Sequence, residues 1–162
     1  MVWCFVRYFI PTPSGHKRFN VLGAVDALTK EIVMVVNETM VNAETVCQLL
    51  SKRAAHVTEG PLTVVLDNAR YQKCALVQDY AVALGIELLY LPSFSPHLNL
   101  IERLWRFVRK ECLYAHYYAI FPEFRAALET CLTTAHRERR IELETLLAWH
   151  FQSFRDVQTV PV

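Results

Sequence analysis

The sequence predicts a mixed α/β domain in which strands come first and helices close the chain. Its 162 residues match the length of one domain. Hydrophobic residues make up 53% of the chain and charged residues 20%, which supplies one apolar core without the charge excess of a disordered chain. Short apolar runs of strand type alternate with stretches of helical periodicity. The order of these elements is strands first, then a strand–helix–strand–helix unit, then helices. This order indicates a mixed sheet with a helical end.

The strand predictions rest on short β-rich or continuously apolar runs. The first run ends before Pro11 and Pro13, which cannot donate to a strand ladder. The second and third runs are joined by residues 26–31 as a hairpin. The last two runs have the apolar character of buried strands. The predicted strands cover residues 3–10, 19–25, 32–36, 61–66 and 86–91.

Helical periodicity and capping signals predict five helices. Gly85 closes the second helix, and Asn99 caps the third, just after a stiff loop at 92–96 that contains two prolines. The predicted domain spans residues 1–150, and residues 151–162 form a C-terminal tail. The predicted helices cover residues 42–55, 71–84, 99 to about 113, 122–136 and 138–154.

Two carboxylates stand where the predicted sheet would gather a ligand. Asp67 ends the strand 61–66 and is followed by Asn68, and Glu102 lies in the first turn of the helix after the next strand. The two strands should be neighbours, so their carboxyl ends would bring both acids to one edge of the sheet. Close carboxylates repel, and a divalent cation such as Mg²⁺ or Mn²⁺ relieves that repulsion. A pair of such ions can activate water and steady a leaving phosphate oxygen.

A structural interpretation of each acid stays open on spacing alone. Asn99 and Glu102 have the separation of a capping box, in which Glu102 would serve only backbone donors at the helix start. Asp67 and Asn68 also fit an ordinary turn between a strand and a helix.

Charge is segregated along a chain whose formal net charge is +1. Residues 21–102 carry 5 basic and 9 acidic groups, whereas residues 103–140 carry 8 and 4. The predicted third helix has a basic surface, which is either a solvated face or a surface that binds phosphates beside the two acids. The residues of this candidate DNA-binding surface are Arg103, Arg106, Arg109 and Lys110.

Several classes of protein are disfavoured by composition. No apolar run reaches the roughly 18 residues of a membrane span. The first residues lack the charged and apolar regions of a signal peptide. Five cysteines, odd in number and scattered, indicate reduced thiols in a cytoplasmic protein.

Three segments of the sequence closely resemble one enzyme family. They are residues 15–24 (GHKRFNVLGA), 66–72 (LDNARYQ) and 89–105 (LYLPSFSPHLNLIERLW). Together they resemble the catalytic domain of DDE transposases, and more narrowly the mariner-like bacterial insertion-sequence branch, also called DDE superfamily endonucleases. The 34 residues between Asp67 and Glu102 are the spacing typical of that branch.

The resemblance implies a ribonuclease-H-like α/β fold, a mixed sheet with flanking helices. It implies DNA cleavage and strand transfer with two Mg²⁺ or Mn²⁺ ions held by three acids. Asp67 would be the second acid and Glu102 the third. The DNA substrates would be the terminal inverted repeats of a transposon and its target DNA, inside a bacterial cell at the nucleoid.

The first acid of the family has no counterpart in this sequence. In the family it stands upstream of the segment matched by 15–24, but residues 1–14 contain neither Asp nor Glu. Asp26 follows that segment in the predicted hairpin turn, and we reject it as a substitute. We therefore expect a partial catalytic domain that lacks its opening strand, and no strand transfer by the isolated chain.

Two alternatives to an active transposase follow from the resemblance. The chain could be an inactive fragment that binds DNA, a second copy or a full-length transposase. It could also be a ribonuclease-H-like nuclease unrelated to transposition, which the long segment 89–105 disfavours.

Overall fold

The structure, a computed structural model, describes residues 19–56, 60–92, 98–114 and 116–148. The predicted strand at 3–10 and the tail at 151–162 lie outside the described residues. The described elements, in chain order, are β1 (Asn20–Val25), β2 (Ile32–Asn37), α1 (Ala43–His56), β3 (Leu62–Leu66), α2 (Ala75–Ala83), β4 (Ile86–Tyr90), α3 (Leu100–Val108), α4 (Phe121–Glu138) and α5 (Arg140–Leu146).

The first two strands form the predicted hairpin. β1 and β2 are antiparallel, with Asn20 opposite Asn37. In the turn, the Asp26 side chain accepts hydrogen bonds from the backbone N–H groups of Leu28 and Thr29, both at 2.8 Å. Asp26 thereby satisfies backbone donors that the strand ladder leaves unpaired.

The second pair of strands is parallel, as predicted for neighbours joined by a helix. β3 and β4 pair with Leu62 opposite Ile86, and α2 connects them. The predicted helix 71–84 is wrong at its start, because residues Arg70–Gln72 form a separate 3₁₀ turn and α2 begins only at Ala75. Cys74 is extended, with ψ 157°, which separates the two helical segments.

Among the described residues, helices cover both faces of the hairpin and one face of the parallel pair. Helix α1 packs on one face of β1–β2, and α3, α4 and α5 build a core on the other. The β3–β4 pair packs against α1 and α2 through Val64 and Leu88. On its opposite face Val65 and Leu89 are 47% and 50% exposed.

The helical end is more broken than predicted. α3 ends at Val108 and continues as a π-helical turn over Arg109–Leu113 rather than as an α-helix. The predicted helix 138–154 is confirmed only as α5, and residues 149–154 lie outside the described part of the chain. Fully buried Leu104, Leu132 and Leu143 join α3, α4 and α5 in one core.

Two further findings concern the cysteines and the helices of the described residues. Cys47, Cys74, Cys112 and Cys131 are free thiols, and Cys4 lies outside the described part. No described helix has both the length and the apolar character needed to cross a membrane.

One close contact sets the position of α3 on the hairpin. A Cβ atom added at Gly23 of β1 would lie 3.2 Å from Cη2 and 3.3 Å from Cζ2 of Trp105. Since few real Cβ contacts are this short, the indole ring occupies the space that a side chain at Gly23 would fill. Glycine therefore allows α3, which carries Glu102, to lie close to the sheet.

We predict that Gly23→Val lowers the free energy of unfolding by about 1–3 kcal/mol, because valine must displace the Trp105 ring. Valine is the better strand former, so without this contact the substitution would stabilise β1. Chemical denaturation measures the change. Combining Gly23→Val with Trp105→Leu should cost less than the sum of the two single changes. A Gly23→Val protein as stable as the wild type would contradict the packing described.

Candidate functional site

The two predicted acids line one cavity. Asp67 directly follows β3 and is exposed, and Glu102 lies in the first turn of α3 with its side chain partly exposed. Both border a cavity of about 980 Å³ between β1 and β3. The structure therefore brings together the two residues that the sequence separates by 34 positions.

Asn99 connects the two acids. Its side-chain Nδ2 donates to Oδ1 of Asp67 at 2.7 Å, and its Oδ1 accepts from the backbone N–H of Ile101 at 3.1 Å. Its backbone carbonyl accepts from the backbone N–H of Glu102 at 3.2 Å. Asn99 is 7% exposed, so both halves of its amide are used within a buried setting. One residue thus caps α3 and orients the carboxylate at the end of β3.

Asn99, and not Glu102, fills the capping role at the start of α3. Asn99 caps α3 with its own Oδ1, as predicted. Among the described residues, no hydrogen bond or ion pair joins the Glu102 carboxylate to another group. Both oxygens of Glu102 and Oδ2 of Asp67 remain for a ligand.

Asp26 borders the same cavity but serves the hairpin turn. Its carboxylate accepts from the turn N–H groups and forms an ion pair with Arg53 of α1. Burial alone would raise the pKa of Asp26, but the N–H groups of Thr29 and Leu28 together with Arg53 hold it below its ordinary value. These contacts agree with a turn residue rather than a substitute for the first acid.

Arg103 and Arg106, two of the four predicted DNA-binding residues, have different surroundings from each other. Arg103 is partly buried, and its Nη1 donates to the carbonyls of Ala148 at 2.8 Å and Leu146 at 3.4 Å. These contacts hold α3 against the end of α5. Arg106 is exposed, and among the described residues no hydrogen bond or ion pair engages its guanidinium. It lies one helical turn beyond Glu102, on the same side of α3.

Arg109 and Lys110, the other two predicted DNA-binding residues, lie in the π-helical turn after α3. Arg109 is exposed, and its Nε donates to the carbonyl of Trp105 at 3.2 Å. Lys110 is 65% exposed and pairs with Glu142 at 3.3 Å and Glu111 at 3.8 Å. None of the four basic residues borders the cavity that holds the two acids. Binding of DNA by these residues stays a prediction.

Sequence reasoning missed two polar residues of this cavity. Asn99 was predicted as a cap, but its bond to Asp67 spans 32 positions and leaves no local signal. Gln72, in the 3₁₀ turn after β3, is 7% exposed, and its Oε1 is buried without a hydrogen-bond donor. Nothing in the sequence near Gln72 marks it as a site residue.

The oxygen atoms of Asp67 and Glu102 suit a hard divalent cation. Among the described residues, no group of three or more His, Cys, Asp or Glu side chains could hold a metal ion. The described site therefore offers two carboxylates, and it fits a cation only with further ligands from water, DNA or another residue.

Comparison with known proteins bears on the fold and the family. A chain of the cryoEM structure of the simian T-cell lymphotropic virus intasome in complex with PP2A regulatory subunit B56 gamma is similar, with a TM-score of 0.56 and 15% identity. The match covers 69% of this chain and 41% of that one, less than half of its length. At this identity the likeness concerns the fold alone, which is the predicted ribonuclease-H-like α/β fold. No curated protein matches the sequence.

A family model defines the class more narrowly. The model described as DDE superfamily endonuclease matches residues 7–125, which include both acids and Asn99. This chain belongs to the DDE superfamily endonuclease family. The resemblance to DDE superfamily endonucleases is confirmed.

We predict that Asn99→Asp destabilises the protein increasingly as pH rises from about 4 to 7. The new carboxylate would still cap α3, but it would face Asp67 in place of a donor. Two like charges held this close repel each other, and acid relieves the repulsion by neutralising a carboxylate, so the loss of stability is largest toward neutral pH. Denaturation as a function of pH measures this change against wild type.

Asn99→Ser is the control, because serine caps helices about as well as asparagine but cannot place the amide on Asp67. It should cost about 1–3 kcal/mol, with little dependence on pH over the same range. Were Asn99→Asp as stable as wild type at pH 7, the link from Asn99 to Asp67 would be disproved.

Proposed function

We propose that Asp67 and Glu102 are two of the metal-binding acids of a transposase centre that cleaves DNA and transfers strands. The observation that carries this proposal is the Asn99 bridge, which holds the Asp67 carboxylate beside the first turn of the helix that carries Glu102. If Asp67 were only a turn residue and Glu102 only a helix cap, each carboxylate would accept hydrogen bonds from its own neighbouring backbone. Here the buried side-chain amide of Asn99 donates to Asp67, and its backbone carbonyl accepts from the backbone N–H of Glu102. Among the described residues, no hydrogen bond or ion pair engages Oδ2 of Asp67 or the carboxylate of Glu102.

Asp67 and Glu102 would act by holding metal cations in place. Asp67 and Glu102 would bind Mg²⁺ or Mn²⁺, in the complete family site a pair of ions. When bound, these ions activate water and stabilise the leaving phosphate oxygen. Asn99 fixes the orientation of Asp67, so that little rotational freedom remains to be lost on binding.

DNA would approach along α3. Arg106 is exposed one turn from Glu102 and is free to donate to a phosphate. Arg109 and Lys110 extend this surface in the next turn, whereas Arg103 would contribute by holding α3 in place. Because phosphate contacts are largely electrostatic, binding should weaken as salt rises.

The third acid of the family site has no candidate among the described residues. The described residues supply two carboxylates at the site, and Asp26 is engaged with its own turn and Arg53. This favours a second candidate function for the chain alone, binding of DNA or of a transposase partner without cleavage. The proposed setting is the bacterial cytoplasm, at the nucleoid, with terminal inverted repeats and target DNA as substrates.

Manganese binding tests the proposal. We expect the affinity of the purified chain for Mn²⁺ to fall at least tenfold in Asp67→Asn and in Glu102→Gln. Electron paramagnetic resonance measures the bound Mn²⁺. Each change removes a charged oxygen ligand and keeps the shape of the side chain. The matched controls are Asp79→Asn on α2 and Glu87→Gln on β4, which lie outside the cavity and should bind as wild type does.

Equal Mn²⁺ affinity in all four variants would contradict the proposal, because it would remove Asp67 and Glu102 from the metal site. Mg²⁺-dependent joining of DNA ends by the isolated chain would instead contradict the second candidate function, because it would show that two acids suffice for strand transfer.

A further inference from the structure

The α1–α2 groove is a surface groove of about 650 Å³ between helices α1 and α2. Cys47 of α1 lies where the two helices meet, and its sulfur is 4.0 Å from the carbonyl oxygen of Leu76 of α2. None of the residues that line this groove borders the cavity that holds Asp67 and Glu102. The groove is therefore a second surface feature, separate from the proposed metal site.

The α2 wall of the groove is apolar. Leu76 and Tyr80 lie one helical turn apart, line the groove and are 53% and 36% exposed. Val77 and Ala81 of the same helix pack into the core, and the face of such a helix that points to solvent is normally polar. Large apolar side chains that adjoin each other in an exposed groove are typical of a surface that another protein covers.

The α1 wall is polar and carries opposite charges at its two ends. Glu44, Gln48 and Lys52 follow one another at intervals of four residues along one side of α1, and all three are exposed. The helical rise places the Cα atoms of Glu44 and Lys52 about 12 Å apart, with Gln48 midway. Nζ of Lys52 donates to the carbonyl of Met34 at 3.1 Å. Among the described residues, no hydrogen bond or ion pair engages the Glu44 carboxylate.

This order of charges is complementary to itself. If two copies of α1 pack antiparallel across a twofold axis at Gln48, position 44 of each copy faces position 52 of the other. Both contacts then join an acid to a base. A polyanion such as DNA would instead be repelled at Glu44, so the order of charges favours a second copy of the chain.

We propose that the α1–α2 groove is the interface of a homodimer, with its twofold axis passing Gln48 and crossing both helices. The antiparallel arrangement that pairs Glu44 with Lys52 also lays α2 of one copy on α2 of the other. Leu76 and Tyr80 are then covered by the same two side chains of the second copy, and their apolar surface leaves water. Two helices from each copy make a small interface for a specific complex, so monomer and dimer exchange as the protein concentration changes.

Charge reversal in the full chain tests the dimer, with sedimentation velocity over a series of protein concentrations as the measurement. Glu44→Lys alone and Lys52→Glu alone each place like charges at both contacts, and we expect the dimer Kd to rise at least tenfold. The double variant with both reversals restores opposite charges and should return the Kd to within threefold of wild type. Only a partner that carries the same two reversals can give this rescue.

Glu123→Lys on α4 is the matched control, because it changes the net charge as Glu44→Lys does but lies outside the groove. It should dimerise as wild type does. A wild-type chain that stays monomeric throughout the series would overturn the proposal. Single reversals without effect, or a double variant as weak as either of them, would do the same. These changes leave Asp67 and Glu102 in place, so the outcome is independent of the metal site.

Disulfide crosslinking locates the twofold axis. In a chain with Cys47→Ser, we expect Gln48→Cys to join two copies through position 48 under mild oxidation with copper phenanthroline, because residues at the axis face each other. Gln78→Cys in the same background is the matched control, since Gln78 of α2 does not line the groove. It should form at least tenfold less of the bond between chains. Equal crosslinking of the two variants, or none in either, would overturn the proposed interface.

Discussion

The site depends on one buried amide. Asn99 is held at the start of α3, where its oxygen accepts an N–H group that the helix leaves unpaired. Its nitrogen is thereby directed at Asp67, the residue at which β3 ends. A helix start and a strand end are thus fixed relative to each other by the two ends of a single side chain. Without this link, Asp67 and Glu102 would belong to separate elements with no reason to share a ligand.

The same link matters for the fold, because the two sheets share no hydrogen bonds among the described residues. Helices must hold them together. Helix α1 packs Leu49 against β2 and Val46 against the core around β4. Trp105 of helix α3 packs against Gly23 of β1. Asn99, which caps α3, donates a hydrogen bond to Asp67 at the end of β3. A cavity of about 980 Å³ lies between β1 and β3, and both acids border it.

Local patterns in the sequence predicted most elements but few of the contacts between them. The hairpin, the parallel pair and the cap at Asn99 follow from alternation, apolar runs and capping chemistry, which involve near neighbours. The break at Cys74 and the π-helical turn after Val108 interrupt otherwise regular helical patterns, so periodicity could not show them. The contacts of Gly23 with Trp105 and of Asn99 with Asp67 join distant segments, and no local pattern encodes them. Asp67 and Glu102 were singled out because each follows a predicted strand at the carboxyl edge of the sheet, and the resemblance to the family added the significance of their spacing.

The most direct test of the central claim is a crystal structure of this chain with Mn²⁺, read from the anomalous signal of the metal. If Asp67 and Glu102 form one cation site, an Mn²⁺ peak will lie within about 2.0–2.6 Å of a carboxylate oxygen from each, the range usual for hard cations. Asn99 will still donate to the other oxygen of Asp67. Manganese bound by one of the two acids alone, or only elsewhere on the protein, would contradict the claim.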